Sequence, residues 1–202
     1  MMKTYTVAKA ASKGIVMGKA FVAVQEDLTA DSRSIKDSER EMEWLKFQKA
    51  VKDAVEDLRV LAKDSDIFAA HLDVAEDTVL HDSVELKINS ENKNAQLALE
   101  ETVAEIVTMF ESLDDEYLRE RAADIKDVGK RIMCGLKGIK SNPFEGINED
   151  VIVVAEDLAP SDTANMDFRY IKGFITEAGG VTSHVSIMAR SMEIPAFVGV
   201  AD

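Results

Sequence analysis

GGVTSHVSIMARSMEIPAFVG, from Gly179 to Gly199, decides how the chain is read. The two glycines end an apolar run, Ile171 to Ala178, that has the character of a strand. Thr182 and Ser183 stand where a helix is capped, and Ile187, Met188 and Met192 give that helix an apolar side. Pro195 stops it, and Ala196 to Val200 reads as another strand. His184 therefore falls at a helix start, beside unpaired backbone N–H groups and the positive end of the helix dipole. Such a position suits an anion, for example a phosphoryl group carried on the ring.

Upstream of this stretch the same alternation continues. SNPFEG is a loop by composition, VIVVAEDL a buried strand, PSDTANM a short helix with Pro160 at its start, and IKGFITEA a strand. Alternating strands and helices predict a parallel α/β layer. The β-prone runs YTVA and GIVMGKAFVAV, between Thr4 and Val24, need partners and can join that sheet.

Between Ser34 and Lys140 there is no proline, and glycine occurs only at Gly129, Gly135 and Gly138. Apolar spacing predicts a first helix over Ser38–Asp64, burying Trp44, Leu45, Phe47, Val51, Val55, Leu58 and Leu61. A second runs from Ile67 to Leu80 with a continuation to Asn89, a third from Ala95 to Leu113, and a fourth begins at Asp114. Short connections make these an antiparallel bundle. The expected architecture is an α/β subdomain, residues 1–33 and 141–202, interrupted by an all-α four-helix subdomain, residues 34–140.

Composition narrows the function classes. No apolar run in the 202 residues is long enough to cross a membrane, and MMKTYTVAKAASKG has no apolar signal core, so a cytoplasmic protein is expected. Cys134 is the only cysteine, which excludes an internal disulfide. A net charge of −14 argues against nucleic acid as partner and favours a basic protein, or simply solubility. Between Asp66 and Glu101 nine acids stand against Lys87 and Lys93, an excess of seven that is half the net charge. That concentration fits either a face that steers a basic partner or an ordinary solvated helix face.

The chemistry centres on His184. A neutral imidazole is a good nucleophile near pH 7, and phosphoryl transfer asks the protein mainly for positioning and charge stabilisation. Gly179 and Gly180 let the backbone approach the transferring group, Thr182 and Ser183 complete the loop around it, and the N–H groups beyond His184 can receive its oxygens. Thr163, from a different segment, can hydrogen-bond the ring and orient it. Arg190 is not on the same helix face as His184 and is assigned no phosphate contact. A lone histidine at a glycine turn is more often a capping or hydrogen-bonding residue. Other chemistries fit less well. Ser183 and His184 are neighbours that rarely face each other, three dispersed histidines and one cysteine match no metal spacing, and AGGVTS lacks the dinucleotide GxGxxG.

The Gly179–Gly199 stretch closely resembles the phosphohistidine signature of Enzyme I of the bacterial phosphoenolpyruvate-dependent sugar phosphotransferase system. SLDDEYLRERAADIKDVGKRI (Ser112–Ile132) and EDLAPSDTANM (Glu156–Met166) are also similar to Enzyme I segments, and GIVMGKAFV and FAAHLDVAEDTVL fit more loosely. The likeness covers nearly the whole chain in order. It implies a swivelling α/β phosphohistidine subdomain interrupted by four helices. His184 would be phosphorylated at Nε2 from phosphoenolpyruvate and pass the group to a histidine of the carrier protein HPr. Thr163 matches the threonine that holds the active imidazole.

The helical part would dock HPr, with His71, Val74 and Leu80 as an apolar centre beside Asp77 and Arg121. For His71 a buried structural role is equally open, and His81 is expected to be exposed. The resemblance places phosphoenolpyruvate, Mg²⁺ and dimerisation in a TIM-barrel domain beyond Asp202. The chain itself is thus expected to be a monomeric N-terminal piece with no cofactor or metal site, its final strand edge open to association. Dikinases and phosphoenolpyruvate synthases share the GGxTSH core but lack the helical insertion. Three departures stand out: Val181 where the family usually has Arg, Lys13 where it often has Pro, and Ala159 where it often has Thr. They leave open an Enzyme I-like module of a multidomain phosphotransferase, such as one feeding dihydroxyacetone kinase, and a catalytically silent HPr-binding module.

Overall fold

The computed structural model describes residues 9–24, 27–63, 66–158, 160–164 and 166–200, so the YTVA run and Ala159 lie outside the described residues. The chain divides into two compact units, one running to Glu26 and resuming at Asn142, the other Asp27–Ser141. The helical unit begins seven residues before the expected 34. Its leading segment is tied to the helices, since Lys137 Nζ donates to the carbonyls of Asp27 (3.0 Å) and Thr29 (2.7 Å).

Among the described residues the first unit holds a five-stranded sheet ordered β1-β5-β4-β3-β2, built from β1 (Lys9–Ser12), β2 (Lys19–Ala23), β3 (Val151–Ala155), β4 (Ile171–Thr176) and β5 (Ala196–Val198). β2 to β5 are parallel, while β1 is antiparallel to β5 and covers its free side. β1 and β2 lie at opposite edges of the sheet, and β2 falls within the GIVMGKAFVAV run. Val153, Phe174 and Val198 lie at the core centre, 1 % exposed or less. Each such side chain contributes roughly 1.5–3 kcal/mol. The β1–β2 connection crosses the sheet where Gly14 (φ +154°) meets Pro195, and a Cβ at Gly14 would overlap the proline ring.

The second unit holds α1 (Arg40–Leu61), α2 (Asp66–Ala75), α3 (Thr78–Glu91), α4 (Ala95–Glu111) and α5 (Glu116–Lys137). Its core joins Phe47, Leu58, Phe68, Ile88, Leu99 and Ile132, all 1 % exposed or less. Glu43 on α1, 5 % exposed, accepts from the Ala95 N–H at 3.0 Å, placing a carboxylate at the positive end of α4.

Three expectations are corrected here. The second predicted helix is two, because Asp77 takes an extended backbone and its Oδ1 accepts from Val79 N–H at 2.7 Å, capping a new helix. His81 is half-buried rather than exposed. Its Nε2 lies 2.8 Å from the Ala75 carbonyl across that break, and its ring stands edge-on to Phe47 at 5.7 Å. Leu45 is 56 % exposed, on the outer side of α1, and does not join the buried stripe.

Candidate active site

β3 and β4 are adjacent and parallel, so the segments leaving their carboxyl ends are neighbours. In open α/β sheets that is where ligands bind. β3 leads into α6 (Pro160–Ala164), which carries Thr163, and β4 leads through the glycine turn into α7 (His184–Ser191). Thr163 Oγ1 lies 3.0 Å from His184 Nε2, so the two residues meet from separate elements. Thr163 is 2 % exposed, while the His184 ring is open to solvent. A buried hydroxyl thus holds one nitrogen of an exposed ring. Nδ1 makes no hydrogen bond among the described residues.

The turn is built by its own polar groups. Gly179 takes φ +93°, a conformation that side chains resist, while a Cβ at Gly180 would meet nothing within 4 Å. Gly180 acts through its carbonyl, which accepts from Ser183 N–H (2.9 Å) and Ser186 Oγ (2.7 Å). Ser183 is the N-cap and its Oγ accepts from Ser186 N–H at 3.3 Å, whereas Thr182 makes no cap. Thr176 Oγ1 donates to the Ala178 carbonyl at 2.8 Å. The N–H groups of His184 and Val185 have no acceptor among the described residues and remain available to an anion.

Two features of this turn were not legible beforehand. Ser186, completely buried, locks the helix start to Gly180, and only its polarity inside an apolar helix hinted at that. Arg190 Nη1 donates to the Val181 carbonyl at 2.8 Å, so it braces the turn instead of facing the ring. The Val181 side chain is 44 % exposed and puts no charge beside His184. Lys13 lies exposed in the β1–β2 connection.

The expected partner-binding residues separate by depth. His71 is 2 % exposed and Leu80 3 %, so neither forms the apolar centre of a surface. Both point inward because α2 and α3 pack these faces on the bundle, Leu80 into the core and His71 against Phe68 and α5. His71 Nε2 lies 3.4 Å from Asp124 Oδ1, and Asp124 also pairs with Arg121 at 3.6 Å. Burial pushes the His71 pKa down, opposed by the charges of Asp127 and Asp124. Val74 is half-buried and Asp77 exposed. On α2 and α3, Ile67, Val79 and Leu86 are exposed apolar side chains, at 41 %, 60 % and 60 %.

The acidic segment is partly neutralised. Lys93 pairs with Glu91 and Glu101, Lys87 pairs with Glu101 and Glu105, and Arg59 holds Glu76 at 2.6 Å. Asp73, Asp82 and Glu85 have no ion-pair partner among the described residues. Among those residues no group of three or more His, Cys, Asp or Glu could hold a metal ion, and no helix is long and apolar enough to cross a membrane.

The chain thus joins a mixed α/β layer, with a histidine at the carboxyl edge of its parallel strands, to an interrupting helical bundle. Two family models match, "PEP-utilising enzyme, N-terminal" over residues 7–121 and "PEP-utilising enzyme, mobile domain" over residues 147–202. Phosphoenolpyruvate-protein phosphotransferase of Bacillus subtilis is 47 % identical over 198 residues, covering 94 % of this chain and 34 % of that protein. The Listeria monocytogenes counterpart is 44 % identical over 202 residues, covering 96 % of this chain and 35 % of its own length. A solution structure of Enzyme I superposes with a TM-score of 0.88 at 41 % identity, covering 98 % of this chain and 83 % of that one. The N-terminal domain of Enzyme 1 - Nitrogen, 22 % identical with a TM-score of 0.65 and coverage of 97 % and 84 %, shares the fold. The chain belongs to the PEP-utilising enzyme family, as an N-terminal portion of Enzyme I, and it spans about a third of the length of the curated relatives it matches.

Proposed function

We propose that His184 is the covalent phosphoryl carrier of a phosphoenolpyruvate-protein phosphotransferase. The observation that carries this is the Thr163–His184 contact at the carboxyl edge of the sheet: an exposed imidazole oriented by a buried hydroxyl. In the reaction the Nε2 lone pair attacks phosphorus, the bond from phosphorus to the donor oxygen or nitrogen breaks, and the proton on Nδ1 stays on the ring. Because Thr163 engages the same nitrogen, its hydroxyl has to yield before the N–P bond forms. The N–H groups of His184 and Val185 then face the incoming oxygens without competing for the lone pair.

On this reading phosphoenolpyruvate is the donor and binds, with Mg²⁺ and the dimer contacts, in a part of the enzyme outside this chain. The acceptor is a histidine of HPr or an HPr-like carrier. The helical unit supports docking through Asp73, Asp77, Asp82 and Glu85 and the apolar Ile67, Val74 and Val79, all on α2, α3 or the break between them, with Arg121 of α5 held by Asp124. A basic carrier with an apolar centre complements that surface. His71 and Leu80 support the surface from beneath.

The test is phosphoryl exchange. Incubating the 202-residue chain with phosphorylated HPr should give an acid-labile phosphoryl adduct by intact-mass spectrometry, absent from His184→Ala. Binding of HPr without an adduct would support the silent docking module instead.

A further inference from the structure

Three clamps act on the turn before His184. Thr176 holds Ala178 and Ser186 holds Gly180, each joining the turn to the element that flanks it. Arg190 differs. Its Nη1 donates to the Val181 carbonyl (2.8 Å) and also to the Ala11 carbonyl (3.2 Å) on β1. Ala11 lies where the β1–β5 register shifts, between Ala10 opposite Phe197 and Ser12 opposite Ala196. The extra residue of such a bulge leaves the ladder, so its carbonyl needs another donor. Arg190 is that donor, and Ala11 is only 7 % exposed.

We infer that Arg190 is a positioning residue: by tying the Val181 turn to the β1 bulge, it sets where His184 Nε2 meets Thr163. The ring has two supports, which come from separate elements and converge on one contact. Thr163 is placed by α6, whereas the first residue of α7 is placed by the turn, which Arg190 fixes to a strand outside the β4–α7 connection. Each terminal guanidinium nitrogen carries two N–H groups in one plane, so a single Nη can serve two carbonyls from different elements. Arg190 makes no hydrogen bond to the ring, so its influence passes through the turn. The role in transfer rests on His184 being the carrier. The ring geometry does not.

The experiment compares Arg190→Met and Arg190→Lys with the unaltered chain, reading the His184 ring nitrogens by ¹H–¹⁵N NMR and then the rate of labelling from phosphorylated HPr. The Met variant should lose the hydrogen-bonded signature at Nε2, populate both tautomers, and label about 10- to 100-fold more slowly, as misplacement of a reacting group by about 1 Å does. Lys, which keeps a donor, should restore the ring signals in part. Adding Thr163→Val to Arg190→Met should slow labelling little further, because both act on one contact. Unchanged ring signals and rate with only a lower melting temperature would overturn the proposal, as would fully additive losses in the double variant. Should the Met variant not fold, Arg190→Gln against Arg190→Lys decides by the same ring signals. Absence of labelling in the unaltered chain would instead sink the carrier reading, with the ring signals still deciding the role of Arg190.

Discussion

Thr163 Oγ1 and His184 Nε2 are 3.0 Å apart, and each is delivered by the helix that follows one of two neighbouring parallel strands. The contact is therefore a property of the sheet. Whichever atom carries the proton, this bond fixes the ring plane and occupies Nε2. Thr163→Val keeps the shape and removes the hydroxyl. The variant should label from phosphorylated HPr at least about tenfold more slowly and show mixed His184 tautomers by ¹⁵N NMR. A stability loss of about 0.5–1.5 kcal/mol, read by urea denaturation, accompanies it.

Capping at α7 gives a prediction with an unusual order. Ser183→Ala removes the cap and should cost about 1 kcal/mol, while Ser183→Gly should cost only a few tenths. Inside a helix alanine would be the better residue of the two, so denaturant midpoints ranking Gly above Ala confirm the cap.

The α/β unit was legible because period and punctuation agreed. VIVVA and IKGFIT are short runs rich in β-branched residues, Pro160 and Gly179 follow them, and Pro195 separates α7 from β5. Thr163 could be offered to His184 by its chemistry and matched to it by the family likeness, but their meeting depends on strand order, which is not written in either residue. The α2–α3 break was missed because neither glycine nor proline occurs there. Asp77 before Thr78 and Val79 was the available cap signal, overridden by an apolar stripe that continues across it. The depth of His71, Leu80 and His81 depended on how helices pack, which periodicity gives only to within a face.

The proposed docking face has an electrostatic signature. Asp73→Lys, Asp82→Lys or Glu85→Lys should each slow association of HPr several-fold, roughly up to tenfold, and flatten its salt dependence, in stopped-flow or surface-binding measurements. Asp77→Ala should in addition cost about 1 kcal/mol of stability through its cap. Equal on-rates across the charge reversals would place docking elsewhere.

His71 should make the helical unit acid-sensitive. Burial lowers its folded pKa below the unfolded value near 6.5, so the unfolded chain binds the proton more readily. Stability from this group is present above that value and is lost as pH falls through the folded pKa. Melting temperatures measured between about pH 8 and pH 5 should fall with acid more steeply for the unaltered chain than for His71→Gln.

The most direct measurement is the identity of the phosphorylated atom. After exchange with phosphorylated HPr, ³¹P and ¹⁵N NMR of the chain should show one phosphohistidine, bonded through Nε2 of His184, with the Thr163 hydroxyl no longer donating to that nitrogen. A phosphoryl group on Nδ1 of His184, on His71 or His81, or on no histidine, would contradict the account.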